Sequence, residues 1–145
     1  MARTFELSEF LVGELGVADV GARFPHRVAL HRSCHGLREL GLGGGSERRD
    51  GAGPSPVEIL LGQVKDLVLL SPERRDECCG FGGVFAVTEA GLSARMGEDR
   101  CADLAATGAE YLTATDVSCL LHLAGIRRRA GGLKAIHLAE ILACR

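Results

Sequence analysis

Cys78 and Cys79 stand side by side ahead of a glycine-rich turn, Gly80-Phe81-Gly82-Gly83. Adjacent thiols cannot both enter one apolar core from a regular strand, because successive side chains alternate faces. The glycines permit positive φ and let the backbone come close to something bulky. A thiol pair on such a turn can present both sulfurs to a metal ion or cluster. Cys34, in LHRSCHGLREL, and Cys119, in TDVSCLLHL with His122 three residues on, extend the pattern to C-x43-CC-x39-C-x2-H. Four thiols and an imidazole come from three separate segments. The fold has to gather them.

Short apolar runs supply the means. Arg27–His31, Asp66–Leu70, Glu110–Thr115 and Leu133–His137 are of strand length, and three carry β-branched residues, which predicts buried strands. Helical patterns lie between them. Phe5–Leu15 is amphipathic. Ser55-Pro56-Val57-Glu58 reads as an N-cap, a proline at the first helical position and a capping-box glutamate. Thr88–Thr107 is helical with a break expected near Gly97, and Cys119–Arg129 and His137–Ala143 add two more helices. Alternating strands and helices predict an α/β fold: a parallel sheet of about four strands with helices on both faces. Cys34, the Cys78-Cys79 pair, Cys119 and His137 then follow or end successive strands. The cysteine site is therefore expected at the C-terminal edge of the strands, where open α/β sheets bind ligands. Ser33 and Ser118 read as N-caps, placing Cys34 and Cys119 in first helical turns where the dipole favours thiolate.

Composition narrows the classes. At 145 residues the chain is one domain, 1–145, able to bury a core without disulfide staples. A formal charge of −2 makes no electrostatic case for nucleic acid or an anionic membrane. Six cysteines, two of them adjacent and two beside histidines, point to metal or redox chemistry in a reducing compartment. MARTFELSEF lacks the apolar run of a secretion signal. No apolar stretch approaches the ~20 residues that span a bilayer. A cytoplasmic protein is expected. Gly43–Pro54, rich in glycine and charge, reads as a mobile surface loop.

Several residues carry a plainer reading. Cys101 and Cys144 have no partner at ligand spacing and read as small buried hydrophobes. His35 follows a candidate ligand and can orient it or simply open a helix. His31 and His137 end strands at the same edge and fit the surroundings of the site, as do Gly80, Gly82 and Gly83. His26 beside Pro25 reads as exposed and inert. Arg127–Arg129 reads as a solvated helix end complementing the dipole. The Gly80–Gly83 turn lacks the lysine and hydroxyl residue of a phosphate-binding loop.

VALHRSCHGLRELG, ECCGFGG, TGAEYL, TDVSCLLH and IHLAEILA together resemble the cysteine-rich CCG domain of heterodisulfide reductase B and its relatives. Within that family the likeness is to the lactate-utilisation protein A group of iron–sulfur proteins. It runs from about Phe5 to the C-terminus, leaving out Gly43–Pro54. Members of that group carry two such domains in tandem, and this chain looks like the second. The resemblance implies an iron–sulfur cluster held by Cys34, Cys78, Cys79 and Cys119. Heterodisulfide reductase B uses a fifth cysteine where this chain has His122. A cubane or non-cubane 4Fe-4S cluster both stay open, with His122 as fifth ligand or as a donor behind the ligands. The implied role is electron transfer in oxidation of L-lactate to pyruvate, with lactate-utilisation proteins B and C as partners.

Two other classes compete. One is a thiol or disulfide reductase of the heterodisulfide reductase type. The other is a non-catalytic zinc module, since Cys and His sets of this kind suit tetrahedral zinc, which can also replace a lost cluster in protein prepared in air.

Overall fold

Every described strand is only three or four residues long, so the sheet depends on what packs on its two faces. The computed structural model describes residues 4–42, 53–130 and 132–145. Of the loop expected over Gly43–Pro54, residues 43–52 lie outside the described residues. Strands β1 (Arg27–Leu30), β2 (Val68–Leu70), β3 (Tyr111–Ala114) and β4 (Lys134–His137) pair entirely in parallel in the order β2-β1-β3-β4. All four fall inside the predicted runs, and the α/β class is borne out. Parallel strands need crossovers, and helices provide them.

The two faces can be read from alternation along β1. Val28 and Leu30 belong to one apolar cluster, with Val57, Leu60 and Leu61 of α2 (Pro56–Gly62) and Leu138, Ile141 and Leu142 of α6 (Leu138–Ala143). Ala29 points the other way, into a cluster with Leu104 of α4 (Ala90–Ala106) and Leu120 and Leu123 of α5 (Val117–Ala130). Leu112 and Ala114 of β3 join this second cluster. Cys79, Cys101 and Cys119 lie in it too, so the thiol site grows out of one of the two cores.

Helix starts follow local chemistry. The Ser55 Oγ accepts from the backbone N–H of Glu58, and the Glu58 carboxylate accepts in return from the N–H of Ser55, completing the predicted capping box. Glu58 also pairs with the guanidinium of Arg32. Burial alone would raise the Glu58 pKa, but the bonds from Ser55 and the charge of Arg32 outweigh it and hold the carboxyl below its ordinary range. A depressed folded pKa contributes stability above the unfolded value, and that stability is lost as pH falls through the folded value. Glu58→Gln should therefore cost about 1 kcal/mol at neutral pH. Denaturant melts of the two proteins should converge in acid; a gap that persists once the carboxyl is protonated in folded and unfolded chain alike would rule out the ionic origin.

Two expectations about helices and one about a histidine need correction. The first amphipathic stretch is not one regular α-helix: α1 (Leu7–Glu9) passes directly into a π-helical turn over Phe10–Glu14. Gly97 does not break α4, which runs unbroken from Ala90 to Ala106. The chain breaks earlier, at Glu89, between α3 (Val84–Thr88) and α4. Gly97 stays helical because it is a contact point: a Cβ there would lie 2.1 Å from Ile126 Cδ1 and 3.3 Å from the Cys79 carbonyl oxygen. His26 is also not inert. Its ring packs edge-on at 4.8 Å from Phe24 and lies tilted at 4.9 Å from Tyr111.

Candidate metal centre

Each segment leaving the C-terminal end of β1, β2 or β3 delivers thiols to the same place. After β1, the Ser33 Oγ accepts from the N–H of Gly36 at 3.0 Å, as expected of a cap, but the following helix is only a π-helical turn over His35–Glu39. After β3 the cap is Asp116 rather than Ser118. Its Oδ1 accepts from the N–H of Ser118 at 2.9 Å and of Cys119 at 3.3 Å, and from the Ser118 hydroxyl at 2.5 Å. Both residues are good caps by type, and the one that begins the helix at Val117 wins. Cys119 is thus set in the first turn of α5.

After β2 the Cys78-Cys79 turn is laid against α4. Gly80 has φ +85°, and a Cβ on it would meet the Ser93 carbonyl oxygen at 2.6 Å and Met96 Cβ at 2.7 Å. The turn then presents backbone N–H groups to sulfur: Gly80 N–H to Cys78 Sγ and Phe81 N–H to Cys79 Sγ, each at 3.4 Å.

Cys34, Cys78, Cys79 and Cys119 all line one open pocket of about 330 Å³. Phe81, Gly82, Gly83, His35, Asp116 and Ser118 complete its lining. Cys79 and Cys119 are buried at its floor with their sulfurs 3.1 Å apart, while Cys34 and Cys78 are half-buried nearer the mouth. His35 stands exposed at the rim, its Nδ1 3.9 Å from Asp116 Oδ2.

The electrostatics single out one thiolate. Cys79 is pulled well below the ordinary thiol range, first by its hydrogen-bond contact with Cys119, with help from His31 and the Phe81 N–H against the cost of burial. Cys119 is pushed up in turn by its contact with Cys79 and by burial. Cys34 is raised as well, by burial and by Cys78. Helix dipoles had pointed to Cys34 and Cys119 as the thiolates. Short-range hydrogen bonds reverse that order, because a sulfur at 3.1 Å acts more strongly than a terminus.

His31, expected merely near the site, reaches its floor: its ligating atom lies within 4.8 Å of those of Cys79 and Cys119. His122 goes elsewhere. Its Nε2 lies 3.3 Å from the Ser93 carbonyl oxygen, its ring sits 5.7 Å from that of Phe81, and it is not among the residues lining the pocket. His137 caps α6, accepting at Nδ1 from the Ala139 N–H at 3.1 Å, while its Nε2 bonds the Thr115 carbonyl at 2.9 Å. It braces the end of β3 rather than entering the pocket. Cys101 is buried with its thiol 3.8 Å from the Leu123 carbonyl, and burial raises its pKa to about 11. Cys144 bonds the Glu140 carbonyl at 3.3 Å. Cys101 is buried as its plainer reading expected, whereas Cys144 is only half-buried.

Two buried residues went unnoticed in the sequence. The Arg100 side chain is 0% exposed and pairs with Asp103 at 2.8 Å, and its Nε–H donates to His31 Nδ1 at 3.0 Å. A helix that buries charge breaks its own apolar stripe, so no periodicity marked this face as internal.

The donor set suits a soft metal or a cluster. Four thiols line a pocket open to solvent, one of them with its pKa drawn well down, and Cys78 and Cys79 receive backbone N–H bonds.

Relatives agree with this arrangement. A family model described as the CCG cysteine-rich domain matches residues 28–124, spanning the four pocket cysteines. The chain is 37% identical over 142 residues to Lactate utilization protein A of Exiguobacterium sp., covering 97% of this chain and 54% of that protein. It is 36% identical over 145 residues to the Lysinibacillus sphaericus protein of the same name, covering 99% of this chain and 59% of that one. It is 41% identical over 145 residues to the uncharacterized protein YkgE of Escherichia coli, covering 56% of it. The chain thus spans little more than half the length of these curated relatives. The chain belongs to the family of CCG cysteine-rich domains.

Proposed function

We propose that this chain is an iron–sulfur electron-transfer domain of a system that oxidises L-lactate to pyruvate. The observation that carries the reading is the convergence of Cys34, Cys78, Cys79 and Cys119 on one pocket at the sheet edge. Four thiolates meet the ligand count of a 4Fe-4S cluster, cubane or non-cubane. When bound, such a cluster supplies one-electron transfer. The chain's residues would hold it with four sulfurs, screen its inner side with the core around Cys79 and Cys119, and leave its outer side open between Phe81 and His35. Burial on one side and an open mouth on the other suit exchange of electrons with a docked partner.

The relatives named Lactate utilization protein A support the pathway. On that likeness the chain is a single cysteine-rich domain, the second half of a tandem arrangement, working in the cytoplasm with lactate-utilisation proteins B and C. It acts as one component of a complex rather than a self-sufficient oxidoreductase. Among the described residues no helix is long and apolar enough to cross a membrane. A zinc module is the second reading, favoured by the closeness of His31, Cys79 and Cys119, within 4.8 Å of one another.

Anaerobic reconstitution separates the two. The expected result is about four irons per chain, one for each thiolate, with broad visible absorption that bleaches on reduction and a paramagnetic reduced state. Protein prepared in air should lose this signal, because exposed thiolates oxidise. Stoichiometric zinc with no iron uptake under anaerobic conditions would end the electron-transfer reading.

A further inference from the structure

Behind the thiol pocket runs a buried polar chain that ligation by four cysteines leaves unused. Asp103, 6% exposed, holds the fully buried Arg100, whose Nη1 donates to Asp103 Oδ2 at 2.8 Å and to the Arg74 carbonyl at 2.5 Å. The Arg100 Nε–H donates to His31 Nδ1 at 3.0 Å. Beyond His31 lies Cys79. His31 is 1% exposed, its Nε2 has no hydrogen-bond partner, and its ligating nitrogen lies within 4.8 Å of the sulfurs of Cys79 and Cys119.

Donor and acceptor roles along this chain are forced. A guanidinium has five N–H donors and no lone pair to offer, so in this contact Nδ1 has to be the acceptor. A neutral imidazole with a bare Nδ1 carries its proton on Nε2. In the doubly protonated form an Nδ1–H would face the Arg100 Nε–H at 3.0 Å, two donors head to head with no acceptor between them. The Nε2 that faces the sulfurs is therefore an N–H and has no lone pair to give a metal. Serine, asparagine or glutamine at position 100 could switch between donor and acceptor. Arginine cannot, and Asp103 compensates its buried charge.

We propose that His31 is a positioning residue that donates its Nε2–H to the sulfur of Cys79, and that Arg100 locks it in that tautomer. The proposal rests on the reading of the pocket as a thiolate metal centre and assigns His31 a part other than ligation. Together with the Phe81 N–H at 3.4 Å, it gives Cys79 two N–H donors. Such bonds draw electron density from a ligating sulfur and favour the more negative, reduced state, raising the reduction potential.

Nitrogen-15 spectra of histidine-labelled chain, first reduced and metal-free and then loaded with cadmium-113, test the assignment directly. The expected result is a proton on Nε2 of His31, a bare Nδ1, and no cadmium splitting on either ring nitrogen, while thiolate-to-cadmium absorption appears in the ultraviolet. A cadmium-coupled His31 nitrogen, or a proton on Nδ1, overturns the proposal. His31→Gln, whose amide can still donate, should keep the metal stoichiometry and a potential near that of the parent. His31→Leu should keep the iron content but shift the potential downward. Loss of metal in His31→Gln with the fold intact would make His31 a ligand after all. If cadmium ignores the thiols while the tautomer is as expected, the metal-centre reading fails and the hydrogen-bond assignment stands.

Discussion

Serine at position 34, 78, 79 or 119 should abolish or cripple cluster assembly, while serine at 101 or 144 should leave it intact. The first four sulfurs share one pocket, and each supplies a thiolate that a serine hydroxyl cannot replace toward iron. Graded severity is expected within this set. Cys79 and Cys119 sit on the buried floor, where a lost sulfur leaves an iron site closed to water as well as to thiolate. Cys34 and Cys78 are half-buried, so exogenous thiol can rescue them in part. Cys101 makes the sharper control because it belongs to the same apolar cluster as Cys79 and Cys119 yet turns its sulfur to the Leu123 carbonyl. A serine hydroxyl can donate to that carbonyl, so Cys101→Ser should cost no more than ~1–3 kcal/mol and keep its iron. Iron content across the six variants, measured after identical anaerobic reconstitution, decides the matter. Iron loss in Cys101→Ser equal to that in Cys79→Ser would mean the site has been drawn around the wrong sulfurs.

Local chemistry in the sequence was enough to place the strands, the Ser55 cap and the edge at which the thiols meet. Those features depend on a few neighbouring residues: apolar runs, a proline beside a serine, cysteines just past strand ends. What escaped depends on contacts between distant segments. Gly97 looked like a helix break because glycine has poor helix propensity. Its real constraint is close packing against α5, where a Cβ would lie 2.1 Å from Ile126 Cδ1, with the Cys79 carbonyl oxygen also near at 3.3 Å. His122 was expected beside Cys119 because i and i+3 share a helix face. The pocket, however, lies off the N-terminus of α5. One turn further along, the same face meets Ser93 on α4. Arg100 and Asp103 were invisible for a related reason, since charges on a helix usually mark its solvent side. Here they mark the side that supports His31.

The helix packing that hides those residues also makes the turn unusually intolerant of one extra carbon. Gly80→Ala should destabilise the chain by about 2–5 kcal/mol, combining left-handed backbone strain with overpacking. At φ +85° a Cβ would lie 2.6 Å from the Ser93 carbonyl oxygen and 2.7 Å from Met96 Cβ. Neither is the free end of a flexible side chain, so rotamer changes cannot relieve the clash. The turn has to lift away from α4, carrying Cys79 off the floor of the pocket and away from Cys119 and His31. Metal uptake should fall with stability, and a Tm lower by roughly 10 °C is expected for a chain of this length. Gly125→Ala provides the contrast within the same protein. Gly125 is exposed in the middle of α5, and a Cβ there would touch nothing within 4 Å. The same substitution should there stabilise the chain by about 0.5–1 kcal/mol, as alanine for glycine does in an exposed helix interior. Opposite signs at the two positions would show that docking of the cysteine turn on α4, rather than glycine content as such, limits the site. A Gly80→Ala protein that melts with the parent and takes up metal equally well would sink that account.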